Sequence, residues 1–301
     1  MKLSVVALAF LFVAGAQEAP DMDTSYQNLQ KALADKNAAQ VKKLAAQTNA
    51  AAKQVISSPA PQSDAEKDTW TKQVKYAKEV QAYTEYALYT MAVEAPPETA
   101  VDLLSTLEQQ NPKSKYMDEG YAYYFATLNK TGGAAKIPAV AEKAIANFPG
   151  NEDLLMILAS TAMDRKQNDR ALSYADRLVT AVNKRSKPEG MSAADWEKKK
   201  SAALGQGYYI AGMMHAAKNQ FPQANRDLRA ALPYIKDNQT MMAYSLFQLG
   251  VANYNLGKMS LNTAQMLEGA KFSEQSGMIQ SAVQDQAKRN AFMIRKEATG
   301  K

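Results

Sequence analysis

GQGYYIAGMMHAAKNQFPQANRDLRAALPYIK, Gly205–Lys236, decides the fold. It reads as two antiparallel helices, with Gly212 in the first and Ala224, twelve residues on, in the second. A small residue at each place lets two helix backbones approach where a larger side chain would hold them apart. Phe221-Pro222 opens the second helix, since a first-turn proline lacks only an N–H that would have had no partner. Leu228 and Ala231 continue an apolar stripe at helical spacing.

Copies of this unit lie on either side. Upstream, Ala159 and Ala171 repeat the spacing of twelve, supported by Leu155, Leu158, Ala175 and Leu178. Asn151 is a good N-cap for that unit, and Glu152 and Asp153 fall in the first turn, where the helix dipole favours acids. Earlier still, Ala100, Leu104, Leu107 and Pro112 keep one register, and Ala141, Ala144 and Pro149 keep the next. Leu88 stands where a small residue is expected, which predicts a slightly splayed pair. Downstream, Leu246, Leu249, Gly250 and Gly257 start a fifth unit from about Ala243, in which Asn262 takes the place of an alanine.

The twelve-residue small-to-small pair, the aromatic in the turn and the apolar residue four beyond the second small one resemble a tetratricopeptide repeat. The likeness covers roughly Gln81–Gly269, closely in three units and partially in two. It implies an all-α fold, a right-handed α-solenoid of antiparallel helix pairs. Repeats of this family run to about 34 residues. Pro112 to Pro149 is 37, with the extra residues placed in Thr131–Ala134. Ala171 to Ala224 is 53, which leaves Asn183–Lys200, NKRSKPEGMSAADWEKKK, as an insertion.

The flanks complete an expected order of segments. Residues 1–16, MKLSVVALAFLFVAGA, have a basic start, a short apolar run and small residues before Gln17, the pattern of a cleaved signal peptide. Residues 17–62 are expected to form a polar tail, Gln17–Asp23, and an N-terminal helical hairpin that ends at the break Ser57–Gln62. The array then runs over 63–277, beginning with a long helix from Asp64 to about Glu94. A single polar-faced capping helix is expected within 278–301, over Met278–Ala298, with Ala282, Ala287, Ala291 and Ile294 inward.

Composition excludes several chemistries. No cysteine means no disulfide, no thiolate metal site and no cysteine-borne lipid anchor. One histidine, His215, forbids a multi-histidine metal site within one chain, and its mid-helix place among Met213, Met214 and Ala216 reads as packing. Gly132-Gly133 is a turn, because no Gly-Lys-Ser/Thr follows. Glu85, Glu94, Glu152 and Asp153 read as solvated or dipole-pairing acids. The expectation is therefore a chain that is not an enzyme and carries no cofactor and no metal. A net charge of +6 over 301 residues is too mild to argue for nucleic acid. Nothing beyond the leader approaches the ~18 apolar residues of a transmembrane helix.

Two binding surfaces are expected. In the resembled family the first helices of each pair line a concave face that grips peptide segments. Carried onto this chain, those positions are Asp153, Met156, Ser160, Met163 and Asp164 in the third unit. They are Gln206, Tyr209, Met213 and Ala217 in the fourth, and Tyr244, Phe247, Val251, Tyr254 and Asn255 in the fifth. Deformable methionine and amphipathic aromatics suit loose recognition of apolar segments; the same stripe would also serve as packed core. The other surface is the basic insertion, Lys184, Arg185, Lys187, Lys198, Lys199 and Lys200, either a solvated helix face or an electrostatic contact with an anionic partner. Together these imply an exported scaffold or adaptor with protein partners in the bacterial cell envelope, in the periplasm or secreted. The alternative is a periplasmic carrier enclosing a small apolar ligand or glycan.

Overall fold

The computed structural model describes residues 21–188 and 190–300; the expected leader, 1–16, lies outside the described residues. The described residues form thirteen α-helices and no strand. The chain divides into two compact units, Met1–Met117 and Asp118–Lys301.

The first unit contains α1 (Met22–Ala34), α2 (Ala38–Ile56), α3 (Asp64–Glu94), α4 (Pro97–Gln110) and the start of α5 (Lys115–Lys130). α1 packs on α2, α2 on α3 and α3 on α4, and α1 lies on α3 while α2 lies on α4, giving two layers. The second unit holds the rest of α5, a 3₁₀ turn (Ala134–Lys136), α6 (Ile137–Ala144), α7 (Glu152–Asp164) and α8 (Asn168–Lys184). It continues with α9 (Ala193–Ala217), α10 (Phe221–Ile235), α11 (Gln239–Met259), α12 (Thr263–Met278) and α13 (Gln284–Thr299). From α6 onward each helix packs on its successor. The pairs α7–α9, α9–α11 and α11–α13 also touch, so the odd-numbered helices form one layer.

Small residues sit where the helices approach, as the sequence predicts. Ala159, Ala171 and Ala224 are fully buried. A Cβ on Gly212 would lie 2.5 Å from Leu228 Cγ, inside contact distance. Gly250 and Gly269 face each other across α11 and α12, where an added Cβ on Gly269 would lie 2.7 Å from Gly250 O. The helices stay in register because no side chain intervenes.

The turns between paired helices share one conformation. Lys36, Gly132, Lys166, Asn219 and Leu261 all have positive φ, from 52° to 74°. In each case the following residue donates its N–H to the carbonyl five back: Asn37 to Ala32, Gly133 to Leu128, Gln167 to Ala162, Gln220 to His215 and Asn262 to Gly257. This is the left-handed Schellman cap, which satisfies two of a helix's orphan carbonyls. The expected N-terminal hairpin, α1 and α2, thus turns as the later pairs do. The α3–α4 turn differs, with Ala95 extended ahead of Pro96-Pro97.

Three expected boundaries move. Residues 17–20 of the expected polar tail lie outside the described residues, and α1 starts at Met22, inside the expected tail, because the Asp21 carboxylate caps it, accepting from Thr24 N at 2.9 Å and Thr24 Oγ1 at 2.8 Å. That pair of hydrogen bonds holds the Asp21 carboxyl below its usual pKa. In the fifth unit α11 runs to Met259, so Gly257 is inside the helix and Asn262 is the N-cap of α12 rather than its packing residue. The asparagine Oδ1 accepts from Gln265 N, a role an alanine could not fill. Further on, α12 ends at Met278 and the last helix starts at Gln284, leaving Ala282 exposed before it.

Candidate binding face of the first helices

The expected groove positions occupy the odd layer of the second unit, on α7, α9 and α11, but they do not share one environment. Tyr209 and Phe247 are 8% and 7% exposed. Tyr209 belongs to a core cluster with Ile210, Met214 and Ala231, against which Met163, Met213 and Tyr244 pack. Burial pushes the Tyr209 hydroxyl up to about 12, with a smaller contribution from Tyr244. Phe247 packs instead on Val283 and Ala287, at the start of α13. Tyr254 joins Met266, Ala270 and Ile294, and its hydroxyl bonds Glu297 of α13. The last helix therefore takes up two of the expected groove side chains.

What is left open is a shorter strip. Met156, Ser160, Met163, Gln206, Met213, Tyr244, Val251 and Asn255 are half-buried. Gln206 Nε2 donates to Ser160 Oγ at 3.1 Å and ties α9 to α7 across that strip. Asn255 folds back on its own helix and donates its Nδ2 to Val251 O at 2.8 Å. Asp164 and Ala217 are at the helix ends, and both are exposed.

At one end of the strip, two features that the sequence presents separately meet. Glu152 and Asp153, at the start of α7, are only 1% and 6% exposed, and so are not solvated acids. Arg185, the C-cap of α8, places its guanidinium 2.6 Å from Glu152 Oε2 and 3.8 Å from Asp118 Oδ2. Lys199, in the second turn of α9, donates to Asp153 Oδ2 at 2.8 Å and lies 2.9 Å from Glu152 Oε1, off the hydrogen-bond direction. Asn151 completes the cluster: its Nδ2 donates to Asp118 Oδ1 at 2.8 Å while its Oδ1 caps α7 at Leu154 N. Burial raises the Asp153 carboxyl, only partly offset by Lys199. Burial works against the Lys199 charge too, but Asp153 and Glu152 outweigh it and leave that amine raised.

The other cations of the insertion behave differently. Lys187 folds back on its own loop, donating to Met191 O at 2.7 Å. Lys184 and Lys198 are exposed and Lys200 is half-buried. His215 lies between α9 and α10, its Nδ1 2.6 Å from Gln220 Oε1 and its Nε2 3.4 Å from Asp227 Oδ2. It packs a turn and a helix pair together. Among the described residues no group of three or more His, Asp or Glu side chains could hold a metal ion. No described helix is long and apolar enough to cross a membrane.

The first unit carries a surface that sequence reasoning missed. Tyr26, Tyr83, Tyr86, Tyr116 and Tyr89 form a chain of ring contacts over α1, α3 and the start of α5, with centroids 5.1 to 6.2 Å apart. Lys115 Nζ lies 5.0 Å from the Tyr116 ring centroid. Tyr83, Tyr86 and Tyr89 recur every third residue, a helical spacing that signals one face. No protein-family model matches this chain, and no curated protein matches it in sequence.

Proposed function

We propose that the chain is an exported, non-enzymatic scaffold of the bacterial cell envelope, built as a right-handed, tetratricopeptide-like solenoid. Partner peptide segments lie along the first helices of its pairs. The observation that carries this reading is the half-buried strip of Met156, Met163, Met213 and Tyr244 on adjacent odd helices. Such side chains present apolar area that can reshape around a segment, and the Ser160–Gln206 pair adds polar groups able to meet an extended backbone. The consecutive helix pairs and the recurring turn support the repeat reading.

Crosslinking of tagged protein in envelope extracts, followed by identification of the captured proteins, tests it. The variant Met156→Gln/Met213→Gln changes half-exposed side chains and keeps their length. Recovery of the captured partner falls about tenfold or more, the scale of a lost hot spot, while thermal unfolding stays cooperative. Undiminished recovery by a folded double variant would overturn the groove. A low-molecular-weight compound that co-purifies with the wild type, in place of a protein, would favour the carrier.

A further inference from the structure

Five exposed large apolar side chains belong to the last three helices of the second unit and the turn between α11 and α12. Met259, Leu261, Met278, Phe292 and Met293 are 76%, 91%, 81%, 67% and 61% exposed. The last two belong to α13, which turns Ala287, Ala291 and Ile294 inward. Phe292 and Met293 follow Ala291 at roughly 100° and 200° around the helix, so both project away from the packed stripe. The sequence pattern predicts a polar face on this side of a capping helix.

The polar residues around this apolar pair are cations in excess over acids: Lys288, Arg289, Arg295 and Lys296 are exposed on α13, as are Asp285 and Glu297. Lys288, Arg289 and Lys296 flank it, and none of them pairs with an acid among the described residues. Arg295 is held by Glu274, and Glu297 is occupied by Lys258 and Tyr254. Met278 and Phe292 share a shallow pocket of about 410 Å³ with Lys288, Ala291 and Arg295. A second copy of the chain is a poor occupant. A two-fold contact through α13 would bring Lys288, Arg289 and Lys296 against themselves, and like charges so placed repel. The complementary surface is anionic.

We propose that the outer face of α13 docks on an anionic lipid bilayer, with Phe292 and Met293 entering the headgroup–acyl boundary and Lys288, Arg289 and Lys296 meeting lipid phosphates. Adjacent apolar side chains that protrude from a helix with cations on both sides match an interfacial helix lying in the plane of a membrane. An acidic macromolecule would satisfy the cations but leave Phe292 and Met293 in water. The inference goes beyond the scaffold reading and does not depend on a peptide groove.

Flotation of the full chain with vesicles of phosphatidylcholine and phosphatidylglycerol tests it. Variants are compared in one lipid mixture, so that any contribution of residues 1–16 is common to all. Lys288→Ala/Arg289→Ala/Lys296→Ala weakens binding about a hundredfold, at roughly fivefold per cation. Phe292→Ser/Met293→Ser weakens it about tenfold. Lys184→Ala/Lys198→Ala/Lys200→Ala, in the insertion, leaves it unchanged. Phe292→Trp gains a vesicle-dependent blue shift of its emission. Binding that survives the Phe292→Ser/Met293→Ser change, or a Phe292→Trp emission indifferent to vesicles, overturns the proposal. Equal binding to soluble polyaspartate that needs only the cations would do the same, in favour of an acidic macromolecule.

Discussion

Two segments of the second unit are basic on paper, and the fold treats them in opposite ways. The insertion, Asn183–Lys200, sends Arg185 and Lys199 back onto the buried Glu152 and Asp153. The last helix, α13, keeps Lys288, Arg289 and Lys296 around two bare apolar side chains. A run of lysines in sequence therefore does not mark a surface site. What decides is whether the fold brings carboxylates to it. In the insertion the partners lie 33 and 46 residues away in the chain, and the charge closes a loop onto α7. In α13 that charge stays available to something outside the described residues.

The largest expected effect tests the first half of this contrast. Arg185→Met/Lys199→Met leaves the Glu152 and Asp153 carboxylates buried without cations. Removing the cations from a buried ion pair costs about 3–5 kcal/mol, because the stranded charge keeps its desolvation penalty. Urea denaturation should show that loss in the unfolding midpoint, and adding Glu152→Gln should restore part of it. A midpoint within about 0.5 kcal/mol of wild type would mean that the cluster is hydrated, and the two basic segments would then differ little.

Apolar side chains show the same division. Tyr209 stands at a groove position of the sequence pattern yet is packed, whereas Phe292, in a helix the pattern makes a polar cap, is bare. Packing gives Tyr209 a pH signature. Its hydroxyl is raised from 10 to about 12, by burial first and then by Tyr244. For a group raised on folding, the contribution to stability is complete below the unfolded pKa and lost as pH climbs through the folded one. Wild type should therefore lose about 2–3 kcal/mol relative to Tyr209→Phe between pH 10 and pH 12, and nothing below pH 9. Urea midpoints at those pH values check it. Parallel curves for the two proteins would show Tyr209 to be open to water, as a groove residue would be.

What could be read in the sequence follows from which contacts are local. The spacing of twelve at Ala159–Ala171 and Gly212–Ala224 was legible, since backbone approach tolerates little else. The shared turn was not, because Lys36, Lys166 and Leu261 carry no preference for the left-handed region. There the flanking helices impose a conformation that the residues would not choose. The first-turn position of Glu152 and Asp153 is local and legible, but their burial depends on Arg185 and Lys199, which no local pattern announces. The start of α13 is misplaced by a pattern in which Asn262 is a weak packing residue. Its side-chain oxygen suits a cap, and α13 starts at Gln284 rather than at Met278. The strip of half-buried methionines is only part of the groove that the pattern implies, since Phe247 and Tyr254 are claimed by a helix that the pattern starts too early.

The smallest expected effect is the most discriminating one. Lys288→Ala/Arg289→Ala/Lys296→Ala removes three cations from α13, the same kind of change as at Arg185 and Lys199 but without buried partners. Each lies on the exposed side of its helix or at its edge, and alanine favours helix at least as well as lysine or arginine. The melting temperature should move by no more than about two degrees, in either direction. A much larger fall, read by circular dichroism, would mean that these side chains hold α13 to α11 and α12. They would then be structural, as Arg185 and Lys199 are, and the contrast between the two basic segments would collapse. A melting temperature that holds while vesicle binding is lost separates the role of charge in folding from its role in docking, within one chain and between helices of one layer.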